Sequence, residues 1–283
     1  VAAEVIYGKQ LAEDLRLEMK EEIAELSKEG VHPKLVVVIV GEDPASKSYV
    51  KGKQRASEKI GMASDLIELS AETSEDELLH IINQLNEDKA VHGILVQLPL
   101  PQQIDEQNVI EAIDPSKDVD GFHPINAGRM LTGQETFYPC TPFGILVMLK
   151  RAEVSIEGKH VVIIGRSNLV GKPVGQLLLN EHATVTHCHS RTKNLREHTK
   201  RADILIVAAG KAGLITGEDI TEGTVVIDVG VNRVDGKLTG DVDFESAKEK
   251  ASYITPVPKG VGPMTITMLL HNTIKAAKWI DQK

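Results

Sequence analysis

Tyr49 and Lys53 stand four residues apart, so a helix over this stretch would place a phenol and an amine on one face. An amine is a group that can give or take a proton. Spacing alone also fits a solvated helix in which the lysine snorkels past the tyrosine. A functional reading needs partners elsewhere in the chain, and three stretches offer them. Gln97 ends an apolar run and is followed by Leu98-Pro99-Leu100-Pro101, where prolines force an abrupt turn that suits the lip of a pocket. Lys117-Asp118-Val119-Asp120-Gly121-Phe122-His123-Pro124 sets two acids around a β-branched residue, although such a stretch could be only a turn. Thr255 to Thr265 is a proline- and glycine-bearing loop that leads straight into the last helical pattern.

A second kind of chemistry is written at Gly165-Arg166-Ser167-Asn168-Leu169-Val170-Gly171-Lys172-Pro173-Val174-Gly175, a glycine-punctuated turn between a strand and a helix. Backbone N–H groups at a helix N-terminus favour an anion, and glycines let a pyrophosphate come close. The glycines fall six and four apart, which is neither G-x-G-x-x-G nor a Walker loop, so alone this turn equally suits a structural connection. Its context says more. A βαβ unit that binds NAD usually carries an acid at the end of its second strand, for the ribose 2′-hydroxyl. Here that strand, 184–187, runs into Cys188-His189-Ser190-Arg191. A hydroxyl and a guanidinium replace the acid, and Arg166 adds a second cation; this combination suits a 2′-phosphate and favours NADP. A metal site at His187, Cys188 and His189 is disfavoured, because strand alternation sends Cys188 to the opposite face from the histidines. Lys172 reads as a solvated helix residue.

These groups must be positioned by alternating helices and strands. Leu11, Leu15, Met19, Ile23 and Leu26 recur at helical spacing and Gly30 stops them. Residues 34–40, KLVVVIV, read as a strand covered on both faces. Asp43 and Pro44 then read as the start of the helix that carries Tyr49 and Lys53, with Gly61 as its stop. Strands near 65–69 and 93–98, with a helix near 74–87, complete a first α/β unit. After Thr141-Pro142 a helix over 143–151 leads into strands at 161–164, 184–187, 204–208 and 225–229. Pro263 opens a last helix carrying Ile266, Leu269, Leu270, Ile274 and Ala277. Short apolar strands with helical connections predict parallel βαβ units in two α/β domains, with the site expected between them.

Composition agrees. The chain has 283 residues, enough for two domains, and its 41% hydrophobic and 26% charged residues are globular proportions. With only 3% aromatics, the core must be built from Val, Ile, Leu and Ala, as in covered parallel strands. A formal net charge of −9 without a dense basic block argues against a nucleic-acid or membrane-surface partner. No apolar run approaches the ~18 residues of a spanning segment, and Val1-Ala2-Ala3-Glu4 shows no export signal. Two cysteines, Cys140 and Cys188, fit a reducing, cytoplasmic setting rather than a disulfide framework.

In fixed order, Tyr49-Val-Lys-Gly-Lys53, Ile94-Leu-Val-Gln97-Leu-Pro-Leu-Pro101, Asp118-Val-Asp120-Gly-Phe-His-Pro124, Gly165-Arg-Ser167 with Val170-Gly171 and Pro173, and Gly260-Val-Gly-Pro-Met-Thr265 span essentially the whole chain. With these motifs the sequence closely resembles the bifunctional methylenetetrahydrofolate dehydrogenase/cyclohydrolase family. One departure is Lys259, where the family usually has glycine; if the position needs a positive φ, lysine there costs about 1 kcal/mol or more.

The resemblance implies a two-domain α/β fold: a folate-binding catalytic domain over residues 1–140, joined by the C-terminal helix 263–283, and a Rossmann-like NADP-binding domain over 141–262. It implies oxidation of 5,10-methylenetetrahydrofolate to the methenyl cation, hydrolysis of that cation to the 10-formyl form, and a homodimer formed through the nucleotide-binding domain. Lys53 would be the essential proton-moving lysine, tuned by Gln97. Tyr49 would stack on the folate and help relay protons, and Asp120 would anchor the pterin. Leu98, Pro258 and Gly262 would line the substrate. Gly165, Arg166, Ser167, Ser190, Arg191 and the backbone at Val231 would hold NADP. Two alternatives stay open on sequence: a dehydrogenase without hydrolysis, against which Lys53 and Gln97 together argue, and a silent NADP-binding protein on the same fold.

Overall fold

The apolar runs do become parallel strands. A computed structural model describes residues 3–281; residues 1–2 and 282–283, the outer ends of the two expected spans, lie outside the described residues. In chain order the first half holds β1 Glu4–Val5, α1 Gly8–Lys28, β2 Lys34–Val40, α2 Pro44–Ile60, β3 Ala63–Leu69, α3 Glu75–Glu87, β4 Gly93–Val96, α4 Glu106–Ala112, α5 Pro124–Leu131 and α6 Cys140–Arg151. The second half holds β5 His160–Ile164, α7 Gly171–Asn180, β6 Thr184–Cys188, α8 Leu195–Thr199, β7 Ile204–Val207, β8 Val225–Asp228, β9 Asn232–Val234, β10 Lys237–Thr239, α9 Phe244–Lys248, β11 Tyr253–Ile254 and α10 Val261–Asp281.

The chain forms two compact units. One comprises Asp14–Tyr138 with the chain from Ile266 on, so most of α10 belongs with the stretches that carry Tyr49, Lys53, Gln97 and Asp120. Its sheet is parallel, in the order β3-β2-β4. Every residue of β2 from Leu35 to Val40 is buried, which explains its unbroken β-branched run. Val36, Val38, Ile94 and Val96 pack with Leu78 and Ile82 of α3. Ser74 and Glu77 close a capping box at the start of α3. Lys117 finishes that helix: its buried Nζ donates to the carbonyls of Leu85, Asn86 and Asp88 at 2.9, 2.8 and 2.7 Å. A cation is favoured at this helix end, although burial pushes the Lys117 amine down from its ordinary value.

The other unit comprises the chain up to Glu13 and Pro139–Thr265. Its six-stranded sheet runs β1-β11-β8-β7-β5-β6, with every pairing parallel. The strand order reverses between β5–β6 and β7, which puts a ligand crevice at the carboxyl end of β5. The N-terminal segment departs from the division expected from sequence. Glu4 and Val5 pair with Tyr253 and Ile254 at the sheet edge, so the segment joins this unit. Two-residue strands carry no readable periodicity.

Lys259 has φ +78, a left-handed conformation. Its carbonyl accepts from the Lys9 N–H at 3.1 Å. Behind it, a Cβ on Gly8 would meet the Gly260 carbonyl oxygen at 1.9 Å, so backbone lies directly on backbone. Lysine is therefore held in a conformation that glycine adopts freely. Lys259→Gly removes a strain of about 1–2 kcal/mol and restores some chain entropy to the unfolded state. The expected net gain is roughly 0.5–1 kcal/mol, read as a higher urea midpoint at unchanged slope.

Candidate active site

The helix that carries Tyr49 and Lys53 is built as its sequence suggests. Asp43 accepts from the Ser46 N–H at 2.7 Å, Pro44 takes the first helical position, and Gly61 closes the end at φ +80. Tyr49 is 57% exposed, whereas Lys53 is half-buried one turn on. The ladder of β4 runs one residue past the strand, with the Gln97 N–H donating to the Val38 carbonyl at 2.8 Å. That bond aims the Gln97 side chain. Its Nε2 donates to the Leu98 carbonyl at 2.9 Å, leaving Oε1 to accept from Lys53 Nζ at 2.9 Å. The lysine–glutamine partnership sought in the sequence is therefore present.

The two acids around Val119 do different work. Asp118 is buried and accepts from the N–H of Phe122 at 3.3 Å, the N–H of His123 at 2.9 Å and Asn126 Nδ2 at 2.8 Å. Asn126 in turn accepts from Thr136 Oγ1 at 2.7 Å. Asp118 thus folds the loop, and burial pushes its carboxyl up. Asp120 keeps some solvent-accessible surface yet is closely enclosed by protein atoms. That enclosure pushes its carboxyl up to about 6, with Lys53 pulling down and Asp118 pushing up. Lys53, Gln97 and Asp120 therefore form one group of interacting side chains at the carboxyl end of the small sheet, with Leu98 half-buried beside Gln97.

In the other unit, Gly165 follows β5 with φ +128, and a Cβ there would meet the Ala208 carbonyl oxygen at 2.3 Å. A Cβ on Gly171 would strike the Gly165 carbonyl oxygen at 2.4 Å, and one on Gly175 would strike His187 Nε2 at 2.4 Å. The unusual six-and-four glycine spacing thus marks three close approaches. One expectation changes. The first donors of α7 are used within the turn: Gly171 N–H reaches Ser167 Oγ, Lys172 N–H the Ser167 carbonyl, and Pro173 has no N–H. The N–H groups of Gly171 and Lys172 are therefore not open to an anion. Arg166, Ser167, Ser190 and Arg191 are exposed, and neither guanidinium is in an ion pair among the described residues. No acid ends β6; the Arg191 N–H donates to His189 Nδ1 at 3.2 Å, so His189 caps the turn. Among the described residues no group of His, Cys, Asp and Glu could hold a metal ion. Val231 is 57% exposed. Pro258 is exposed and Gly262 lies in the first turn of α10.

Sequence reasoning missed two buried acids in this unit. Asp228 accepts from the N–H groups of Gly230, Asp241 and Val242 at 2.9, 3.0 and 3.0 Å. Asp241 accepts from the N–H groups of Ala209 and Gly210 at 2.7 and 2.9 Å and from Asn232 Nδ2 at 2.9 Å. Burial pushes the Asp228 carboxyl up to about 6, three backbone N–H groups oppose that, and Asp241 reinforces it. The available signal for Asp228 was an acid closing the otherwise apolar strand Val225–Asp228.

A family model described as tetrahydrofolate dehydrogenase/cyclohydrolase, catalytic domain, matches residues 6–120. A second, described as tetrahydrofolate dehydrogenase/cyclohydrolase, NAD(P)-binding domain, matches residues 139–281. The chain belongs to the tetrahydrofolate dehydrogenase/cyclohydrolase family. It is 65% identical over 280 residues to the bifunctional protein FolD of Oceanobacillus iheyensis, covering 99% of this chain and 98% of that one. It is 61% identical over 279 residues to the bifunctional protein FolD of Bacillus subtilis, covering 98% and 99%. Among solved structures, the FolD methylenetetrahydrofolate dehydrogenase/cyclohydrolase of Campylobacter jejuni is 50% identical, with a TM-score of 0.97 over 98% of this chain and 99% of that one. The Trypanosoma brucei N5,N10-methylenetetrahydrofolate dehydrogenase-cyclohydrolase, complexed with NADP cofactor and inhibitor, is 39% identical with a TM-score of 0.95 over the full length of both. Membership in the dehydrogenase/cyclohydrolase family matches the resemblance carried by the motifs; the catalytic-domain model falls mostly on the small-sheet unit, and the NAD(P)-binding model covers the six-stranded unit from Pro139 and runs on through α10.

Proposed function

We propose that this chain oxidises 5,10-methylenetetrahydrofolate with NADP and hydrolyses the resulting methenyl cation to 10-formyltetrahydrofolate. The observation that carries this reading is the 2.9 Å bond from Lys53 Nζ to Gln97 Oε1, with Asp120 close enough to feel the lysine's charge. The oxidised carbon lies between two nitrogens whose lone pairs stabilise the cation, so this step needs positioning rather than an acid or base. NADP, when bound, supplies the hydride acceptor. Hydrolysis differs: water adds to the cationic carbon, one carbon–nitrogen bond breaks and a net proton is released. Lys53 moves protons in that step, and Gln97 holds its amine in place. Asp120 accepts from the pterin ring N–H and exocyclic amine, while Tyr49 offers its ring for stacking. Leu98, Pro258 and Gly262 are assigned to substrate contact on the family resemblance.

The residues after β5 and β6 fit NADP: glycines permit close backbone approach, the Arg191 guanidinium stands after β6 where NAD would call for an acid, and Arg166 after β5 adds a second cation. Gly165, Arg166, Ser167, Ser190, Arg191 and Val231 would hold it. Arg191→Ala is expected to raise the KM for NADP about 10- to 100-fold while changing that for NAD far less, because a charged hydrogen bond to phosphate contributes roughly 1.5–3 kcal/mol. Equal changes for both cofactors would remove Arg191 from the 2′-phosphate site.

The chain acts as a homodimer through the nucleotide-binding unit and works in the cytoplasm. Two free, buried cysteines suit a reducing compartment, and among the described residues no helix is long and apolar enough to cross a membrane. The test of the activity follows NADP reduction with methylene-folate and, separately, the loss of methenyl-folate absorbance. Both should proceed; absence of both would leave only a silent nucleotide-binding protein.

A further inference from the structure

Two buried acids of the nucleotide unit remain without a task in either reaction. Asp241 accepts from Ala209 and Gly210 through one carboxylate oxygen. These residues follow Ala208, whose carbonyl occupies the space a Cβ on Gly165 would need. Any displacement of residues 208–210 therefore passes by direct contact to the dinucleotide turn. The other oxygen of Asp241 lies where a Cβ on Gly230 would fall, 2.1 Å from it. Gly230 is also held by its N–H bond to Asp228, and Val231 follows it. The Asp241 N–H donates to Asp228, and Asn232 donates to Asp241, so the two acids clasp the loops after β7 and β8 together.

We propose that Asp241, backed by Asp228, is a positioning residue for the cofactor half of the reaction: it fixes the Gly165 turn and the Gly230-Val231 backbone relative to each other without touching the cofactor. The inference rests on the NADP reading above. Strong acceptors suit this place because five backbone N–H groups, two on Asp241 and three on Asp228, are drawn inward and kept from reorganising. Misplacement of a positioning group by about 1 Å can cost as much as 100-fold.

Hydrolysis of added methenyl-folate needs no NADP and serves as an internal control. Asp241→Ala is expected to raise the KM for NADP about 10- to 100-fold, with NADP-free hydrolysis within about twofold of wild type. Asp241→Asn keeps an oxygen for Ala209 and Gly210 and should recover most of that loss. Should the alanine variant fail to fold, Asn232→Ala replaces it, with a smaller KM rise expected and hydrolysis again unchanged. A KM for NADP that stays at the wild-type value, or a parallel fall of both activities, overturns the positioning role. A wild-type chain that does not reduce NADP overturns the underlying cofactor reading instead, so the two failures are distinct.

Discussion

Lys53→Met is expected to lose hydrolysis by about 10²–10⁴-fold, the range contributed by a positioned acid–base group, while hydride transfer at saturating substrate stays within about an order of magnitude. Methionine matches lysine in length and lack of branching but carries no exchangeable proton, so packing on α2 is largely kept. Gln97 Oε1 loses its partner at 2.9 Å, and the proton that must leave as water adds has no amine to receive it. Oxidation is spared because the methenyl cation is stabilised by its own nitrogens. A second consequence separates this from a loss of fold. Lys53 pulls the Asp120 carboxyl downward, so its removal should move the acid limb of the KM–pH profile for methylene-folate to higher pH. A mutant that hydrolyses methenyl-folate at the wild-type rate would remove Lys53 from the proton path.

Asp120→Asn should act on binding in both reactions. The loss of a charged acceptor for two pterin donors costs roughly 1.5–3 kcal/mol, or about 10- to 150-fold in KM for either folate. The pH dependence follows from the carboxyl at about 6. The ionised form is the acceptor, so wild-type KM should climb as pH falls below about 6, and the asparagine variant should lose that slope. Stability carries the opposite sign. The folded value lies above the ordinary 3.8, so the fold disfavours the charged form. That penalty is fully felt above about pH 6 and disappears below about pH 4, where folded and unfolded chains are both protonated. Without substrate, Asp120→Asn is therefore expected to stabilise the protein at pH 7.5, by on the order of 1–3 kcal/mol, and to give no gain at pH 3.5. Thermal melts at the two pH values check this; equal gains at both would show that Asp120 is not a strained binding group.

The longer strands were legible because burial on both faces leaves an unbroken apolar run, as in β2 and β5. The frame of α2 was legible because Asp43, Pro44 and Gly61 each act on their own backbone. Lys53 and Gln97 were legible as candidates from the residues around them, although their 2.9 Å bond links positions 44 apart and exists only once β4 lies beside α2. What stayed hidden depends on the tertiary fold. Strands β1 and β11 have two residues each, and only their pairing defines them. Asp118 and Asp120 look alike in sequence, and separate only when one faces Asn126 and the other feels Lys53. Asp228 and Asp241 reach backbone donors up to 32 residues away. The donors of α7 seemed open to an anion, yet the turn that precedes the helix consumes them.

Helix α10 begins in one unit and continues into the other from Ile266 on. In the small-sheet unit its Thr273 hydroxyl and Val119 close over Gly93, leaving no room there for a Cβ. The ribosome makes β2, β3 and β4 long before it makes this helix. A nascent chain that already carries Tyr49, Lys53, Gln97 and Asp120 thus keeps one side of that sheet uncovered until α10 emerges. Because domains tend to fold as units during synthesis, the catalytic unit should complete its fold after the nucleotide unit, although nearly all of its chain is made first.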